Sequence, residues 1–275
     1  MDDEELEPRR GRKMSFLGAA LWSLSVGFAA SLLVAMTESF RPGAMADVVN
    51  ITMCKVVAYS VFLFVMLRVY TPQASIRDVL AIRPVSPVAS FFALAGGAAL
   101  YPGLSFIDDA IYKRFPLGQE DTELLDQITQ VTSLRERVIL LVAFAFVIPV
   151  ADEVFFNGVL FRGLRRGQAE GLAIVGVAAL WAISRGDYRS VPTGLILGLF
   201  TTWLRGRSGS LVPGVLGHVA MNAVPLVPIA LGKGDFDFGW KLAVGGVVSA
   251  AACAWAAGLV LRADDRAEEG RLLDT

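Results

Sequence analysis

The stretch VILLVAFAFVIPVADEVFFNGVLFRG, residues 138–163, decides how this chain folds. An uncharged run through Ala151 leads directly into two adjacent acids, Asp152 and Glu153. Asn157 follows one helical turn after Glu153 and shares its face. Apolar runs of this kind are read as membrane helices. An ionisable side chain inside one costs about 3 kcal/mol unless something pairs with it. The acids therefore need partners from other helices, which requires a bundle.

Working outward, the rest of the chain has the composition of one. Of 275 residues, 55% are apolar, and the mean hydropathy is +0.57. A hydrocarbon core about 30 Å thick takes about 20 helical residues. By that measure, candidate spans lie near 14–36, 48–67, 86–107, 138–156, 170–185, 190–204, 211–230 and 240–261, the fifth and sixth being the shortest. The expected fold is an all-α polytopic bundle of about eight transmembrane helices, with both tails on one side. The run 14–36 is too long for a signal-peptide core, which implies a retained first helix. The expected organisation is a charged cytoplasmic tail over 1–13, a membrane domain over 14–262 with its motif core near 138–232, and a second charged tail over 263–275.

Charge distribution orients this arrangement. With the N-terminus cytoplasmic, Arg9, Arg10, Arg12, Lys13, Arg68, Arg77 and Arg83 fall on the inner side. Arg162, Arg165, Arg166, Arg205, Arg207, Arg262, Arg266 and Arg271 join them, making 15 of the 25 basic residues. The polar stretch 108–137 is expected to lie at the interface as an amphipathic helix, with Leu124, Leu125, Ile128, Val131 and Thr132 recurring at helical spacing. Residues 71–87 read as an inner linker carrying a short surface helix. Gly194 and Gly198 form a small-xxx-small pair suited to close helix packing. There is no internal repeat.

Several function classes drop out. A net charge of −1 gives no electrostatic case for nucleic acid. Cys54 and Cys253 both lie in apolar runs and imply neither a disulfide framework nor Cys/His zinc spacing. A lone histidine, His218, cannot supply two His ligands. No metal and no cofactor is expected.

Three places could carry chemistry: Asp152–Glu153 with Asn157, the segment WAISR (181–185), and His218 with Asn222, which share a face at i, i+4. The bland readings are that Arg162, Arg165 or Arg166 satisfies the acids, that His218 is a bonded bundle histidine, and that Arg185 snorkels near Asp187 and Arg189. Lys55, inside the second span, reads as snorkelling or paired with Asp47.

The segments DEVFFNGVLFRGL, WAISR and RGRSGSLVPGVLGHVAMNAV resemble the three motifs of the CAAX-protease and bacteriocin-processing (Abi) family of intramembrane peptidases. The family pattern is Glu-Glu-x-x-x-Arg, then Phe-x-x-x-His, then His-x-x-x-Asn, on eight membrane helices. The resemblance places the family's general base on Asp152 and its second acid on Glu153. It places the motif arginine on Asn157, the aromatic on Trp181 and the second-motif histidine on Arg185, and it keeps His218 and Asn222. In the family, the two histidines and first acid hold the water, and the asparagine supports the oxyanion. Three of six polar positions therefore depart from the pattern. Arginine has no acceptor and does not titrate in range, so Arg185 cannot replace an imidazole. It is expected instead to lock bidentately onto Asp152 or Glu153.

The resemblance thus implies a pseudoprotease that binds or regulates a membrane substrate or a related active protease. Its ligand would be a transmembrane or C-terminal segment of a protein. Two alternatives stay open: an active, metal-independent endopeptidase using Asp152 or Glu153 with His218 and Asn222, and a small-solute carrier. An Ala-, Arg- and Gly-rich composition without eukaryotic sorting signals implies a bacterial plasma membrane.

Overall fold

The computed structural model describes residues 13–72, 75–233 and 238–273, with side chains as far as residue 261. Most of the expected N-terminal tail, including Arg9, Arg10 and Arg12, lies outside the described residues, as do the side chains of Arg262, Arg266 and Arg271.

Among the described residues, regular structure is entirely helical. Ten helices follow in order: α1 (Phe16–Phe40), α2 (Val48–Tyr70), α3 (Ile76–Leu80), α4 (Pro87–Arg114) and α5 (Gln119–Thr129). Then come α6 (Leu134–Arg165), α7 (Glu170–Ser184), α8 (Val191–Ser208), α9 (Val212–Ala230) and α10 (Trp240–Leu273). All eight expected spans are helices. Six, namely α1, α2, α4, α6, α9 and α10, are long and apolar enough to cross a membrane. The other two, α7 with 15 residues and α8 with 18, reach about 22 and 27 Å, short of a full crossing alone. These are the pair whose spans were shortest in the sequence. They pack on each other, with Gly198 against Ala178 and Trp181, and Gly194 against Ala182.

Helix ends follow local chemistry. Ser15, Asp47, Ser75, Ser86 and Ser133 cap α1, α2, α3, α4 and α6, each side chain accepting a backbone N–H. At α6 the cap is reciprocal, with Glu136 reaching back to Ser133. The amphipathic segment is realised as α5, while residues 108–114 extend α4. The linker 71–87 carries α3, which is more than a surface element: Val79 and Leu80 are buried, and Leu80 packs against α6 at Gly158.

The bundle is built around α6, which touches α2, α3, α7, α8 and α9. Its residues Phe155, Phe156, Leu160, Phe161 and Leu164 are fully buried in the core with Tyr59, Val177 and Trp181. On the periphery, α1 exposes Leu17, Leu21, Leu24, Phe28 and Leu32, as a lipid-facing helix must. The approach of α9 to α4 is set by Gly97, where a Cβ would lie 2.0 Å from the Gly217 carbonyl oxygen. That contact seats the residue next to His218 deep in the bundle.

Candidate active site

Helix α6 is not uniformly α. Leu141–Val147 and Val154–Leu160 are π-helical, and they bracket the turn that carries the two acids. A π stretch shifts backbone donors by one residue and leaves carbonyls in need of partners. Ile148 N–H goes to the Ala143 carbonyl, and the next residue, Pro149, has no N–H, so the Phe144 carbonyl has no donor from its own helix. Asn222 Nδ2 donates to it at 2.9 Å. In the second stretch, Phe161 N–H goes to the Phe156 carbonyl, and the displaced Asn157 carbonyl accepts from Arg205 Nε at 3.1 Å. Both irregular stretches are thus completed by side chains of the third motif segment. The amide of Asn222, which the resemblance assigned to an oxyanion, is engaged in holding α9 to α6.

Glu153 is sealed, being 3% exposed. Its Oε1 lies 3.0 Å from His218 Nδ1 and its Oε2 accepts from Asn157 Nδ2 at 2.6 Å. His218 is itself 2% exposed, and the Trp181 ring meets it edge-on at 5.2 Å between centroids. Asn157 also donates to Thr201 Oγ1 at 3.2 Å. Bonding between a carboxylate and Nδ1 puts the ring proton there and sets the tautomer.

Asp152 looks the other way. It lines a cavity of about 360 Å³ together with Lys55, Tyr59, Trp181 and Arg185. Lys55 Nζ donates to its Oδ2 at 3.0 Å and sits 2.9 Å from Oδ1, the latter contact aligned only as a charge pair. Beneath Asp152, a void of about 10 Å³ lies between α6, α7 and α8. Asp152 Oδ1, Asn157 Oδ1 and Thr202 Oγ1, all buried and without hydrogen-bond partners in the protein, belong to residues on its wall. Its size and polarity fit one water molecule.

Three expectations need correction. Arg185 forms no ion pair with either acid among the described residues. It follows the last turn of α7, donates from Nε to Ser190 Oγ at 3.3 Å and lies over the Trp181 ring. Nor do Arg162 and Arg165 satisfy the acids: Arg162 donates to the Asp78 carbonyl and Arg165 pairs with Glu170. The partner is Lys55, which does not pair with Asp47; that carboxylate binds Arg41 and caps α2. A lysine inside a 23-residue apolar helix was the signal, since such a charge demands a partner within the bundle. The structure does bring together Glu153, Asn157 and His218, with Asp152 beside them, while Arg185 shares only the cavity of Asp152.

A buried acid on one helix is thus bonded to an imidazole on another, inside a multi-pass bundle. Residues 134–224 match a family described as type II CAAX prenyl endopeptidase Rce1-like. The protein is thus CAAX protease-like over this segment, which holds Asp152, Glu153, Asn157, Trp181, Arg185, Arg205, His218 and Asn222, while Lys55 and Tyr59 lie outside it. Neither the curated proteins nor the solved structures give a match. Among the described residues, no group of three His, Cys, Asp or Glu side chains is placed to hold a metal ion.

Proposed function

We propose that this protein is a pseudoprotease: it binds a membrane-tethered peptide segment, or an active relative, in the Asp152 cavity without hydrolysing it. The observation that carries this reading is the state of the acids. A general base needs a lone pair free for water within hydrogen-bond distance. Both Glu153 oxygens are engaged, at 3.0 and 2.6 Å, inside a sealed core. Both Asp152 oxygens lie within 3.0 Å of the Lys55 ammonium. The histidine position of the second motif holds Arg185, which offers no acceptor. A neighbouring apolar slot of about 300 Å³, lined by Val56, Leu63, Phe146, Val150 and Phe155, shares Tyr59 with the Asp152 cavity and suits an apolar side chain or lipid tail. A prenylated C-terminal peptide is therefore the first ligand to try.

One observation favours an active peptidase instead: Asp152 lines both the open cavity and the water-sized void. The test uses the full chain in proteoliposomes with a fluorogenic prenylated peptide. Saturable binding without cleavage is expected, with binding lost on filling the cavity from its wall by Ser31→Leu. Cleavage by the wild type that disappears in Asp152→Asn would establish the peptidase reading in its place.

A further inference from the structure

A second cavity, of about 620 Å³, opens at the end of the bundle where α6 and α8 finish. Arg83, Arg162, Arg165, Arg166 and Arg205 line it, with Asp78 as the one carboxylate on the wall among the described residues. Arginines at the inner ends of membrane helices ordinarily spread into water. These converge. Arg205 is only 5% exposed and, among the described residues, forms no ion pair. Its Nε is spent on the Asn157 carbonyl at 3.1 Å, which turns the remaining donors toward the cavity. Arg162 is pinned by the Asp78 carbonyl, and Phe161 lies between Arg165 and Arg205, 6.0 and 5.8 Å from their guanidinium carbons. Asp78 is turned to Ser75 Oγ at 2.6 Å, and Glu170 neutralises Arg165 alone. Partial burial and the Arg162 charge push the Arg166 guanidinium below its ordinary range. Guanidiniums pre-set at this spacing, one of them deeply buried, repel one another until an anion arrives.

We propose that this cavity binds a phosphate group, carried either by an anionic membrane lipid or by a soluble phosphomonoester. The planar fork of arginine matches phosphate oxygens bidentately, and the volume exceeds what a bare inorganic ion fills. Through Arg205 and the Asn157 carbonyl, the bound group would abut the same π-helical stretch that carries the partner of Glu153. The proposal stands whether or not the site hydrolyses peptides.

The experiment follows thermal unfolding of the full chain by tryptophan fluorescence in phosphatidylcholine nanodiscs. One arm adds phosphatidic acid to the disc; another adds glycerol 3-phosphate or inorganic phosphate to the solution; chloride at matched ionic strength is the reference. A saturable rise in melting temperature in the lipid arm alone identifies a headgroup, and a rise in the soluble arm identifies a free phosphomonoester. Either supports the site if the affinity falls about tenfold in each of Arg83→Gln and Arg166→Gln, rim residues outside the hydrogen-bonded frame. Arg205→Gln should abolish the shift; should it fail to fold, the rim variants decide. No shift beyond chloride, or an undiminished shift in both rim variants, overturns the proposal. So does binding that appears only after residues 1–12 are removed. That segment carries Asp2, Asp3, Glu4, Glu5 and Glu7, and it joins the bundle beside the cavity where Met14 N–H bonds to the Gly163 carbonyl. In that case the chain's own acidic segment is the occupant.

Discussion

Asp152 and Glu153 are adjacent on α6, and the helix turns by about 100° between them. That rotation gives one acid an open cavity and a partly exposed cation, and the other a sealed core and two buried partners. The difference separates two uses of charge in a membrane bundle. Glu153 ties α6 to α9 and closes a bond across its own helix to Asn157, so its role is to hold register. Asp152 meets a lysine whose side chain is 24% exposed, so its pairing can be opened by a ligand entering the cavity.

The comparison can be broken first at its sealed side. Glu153→Ala leaves His218 Nδ1 and one Asn157 N–H without their partner in the core, and should cost about 3 kcal/mol or more. Unfolding in nanodiscs would register this as the largest loss of any single change at the site. Gly214→Ala attacks the same pair sterically, because its Cβ would lie 2.9 Å from Glu153 Oε2 and 3.2 Å from the Thr201 carbonyl oxygen. A destabilisation of about 2 kcal/mol is expected, with His218 forced from its position. The open side should prove softer. Lys55→Met is expected to cost about 1 kcal/mol, and the double variant Lys55→Met, Asp152→Leu should recover most of it in a double-mutant cycle. A Lys55→Met loss as large as that of Glu153→Ala would erase the distinction.

The smallest effect belongs to a carboxylate in the loop between spans. At Asp47, burial raises the pKa, but the Asn50 and Val49 amides and the Arg41 guanidinium together bring it below its ordinary 3.8. A depressed folded-state pKa means stability present above 3.8 and lost as pH falls through the folded value. Asp47→Ala should cost about 1 kcal/mol near neutral pH, as a lost N-cap, and the gap from wild type should close in acid. Melting curves of the two proteins across that range would check it.

Much of this was legible in the residues, and the exceptions have physical causes. The eight apolar stretches predicted eight helices because backbone amides have no other partner in lipid. Asn157 at i+4 from Glu153 meant a shared face, and the two are bonded at 2.6 Å. The pairing of cations with acids was misread: Arg185 follows the last turn of a short helix and turns to Ser190, while Lys55 comes from α2, 97 residues from Asp152 in the chain. Periodicity says which way a side chain leaves its helix and nothing about which helix faces it. The π stretches were equally hidden, although Pro149 marks one of them.

By itself, the amino-acid sequence determined that this is a multi-pass helical protein with an acid pair and an imidazole in its interior, and which peptidase-like motif segment carries them. Apolar length and helical spacing are local properties, and local properties survive in a string of letters. Only the tertiary structure decided that a lysine holds Asp152, that Glu153 is sealed by His218 and Asn157, and that three chain segments gather their arginines around one cavity. Those outcomes depend on how helices distant in sequence rotate and pack against one another, and in lipid that packing is governed by shape and buried polar pairing.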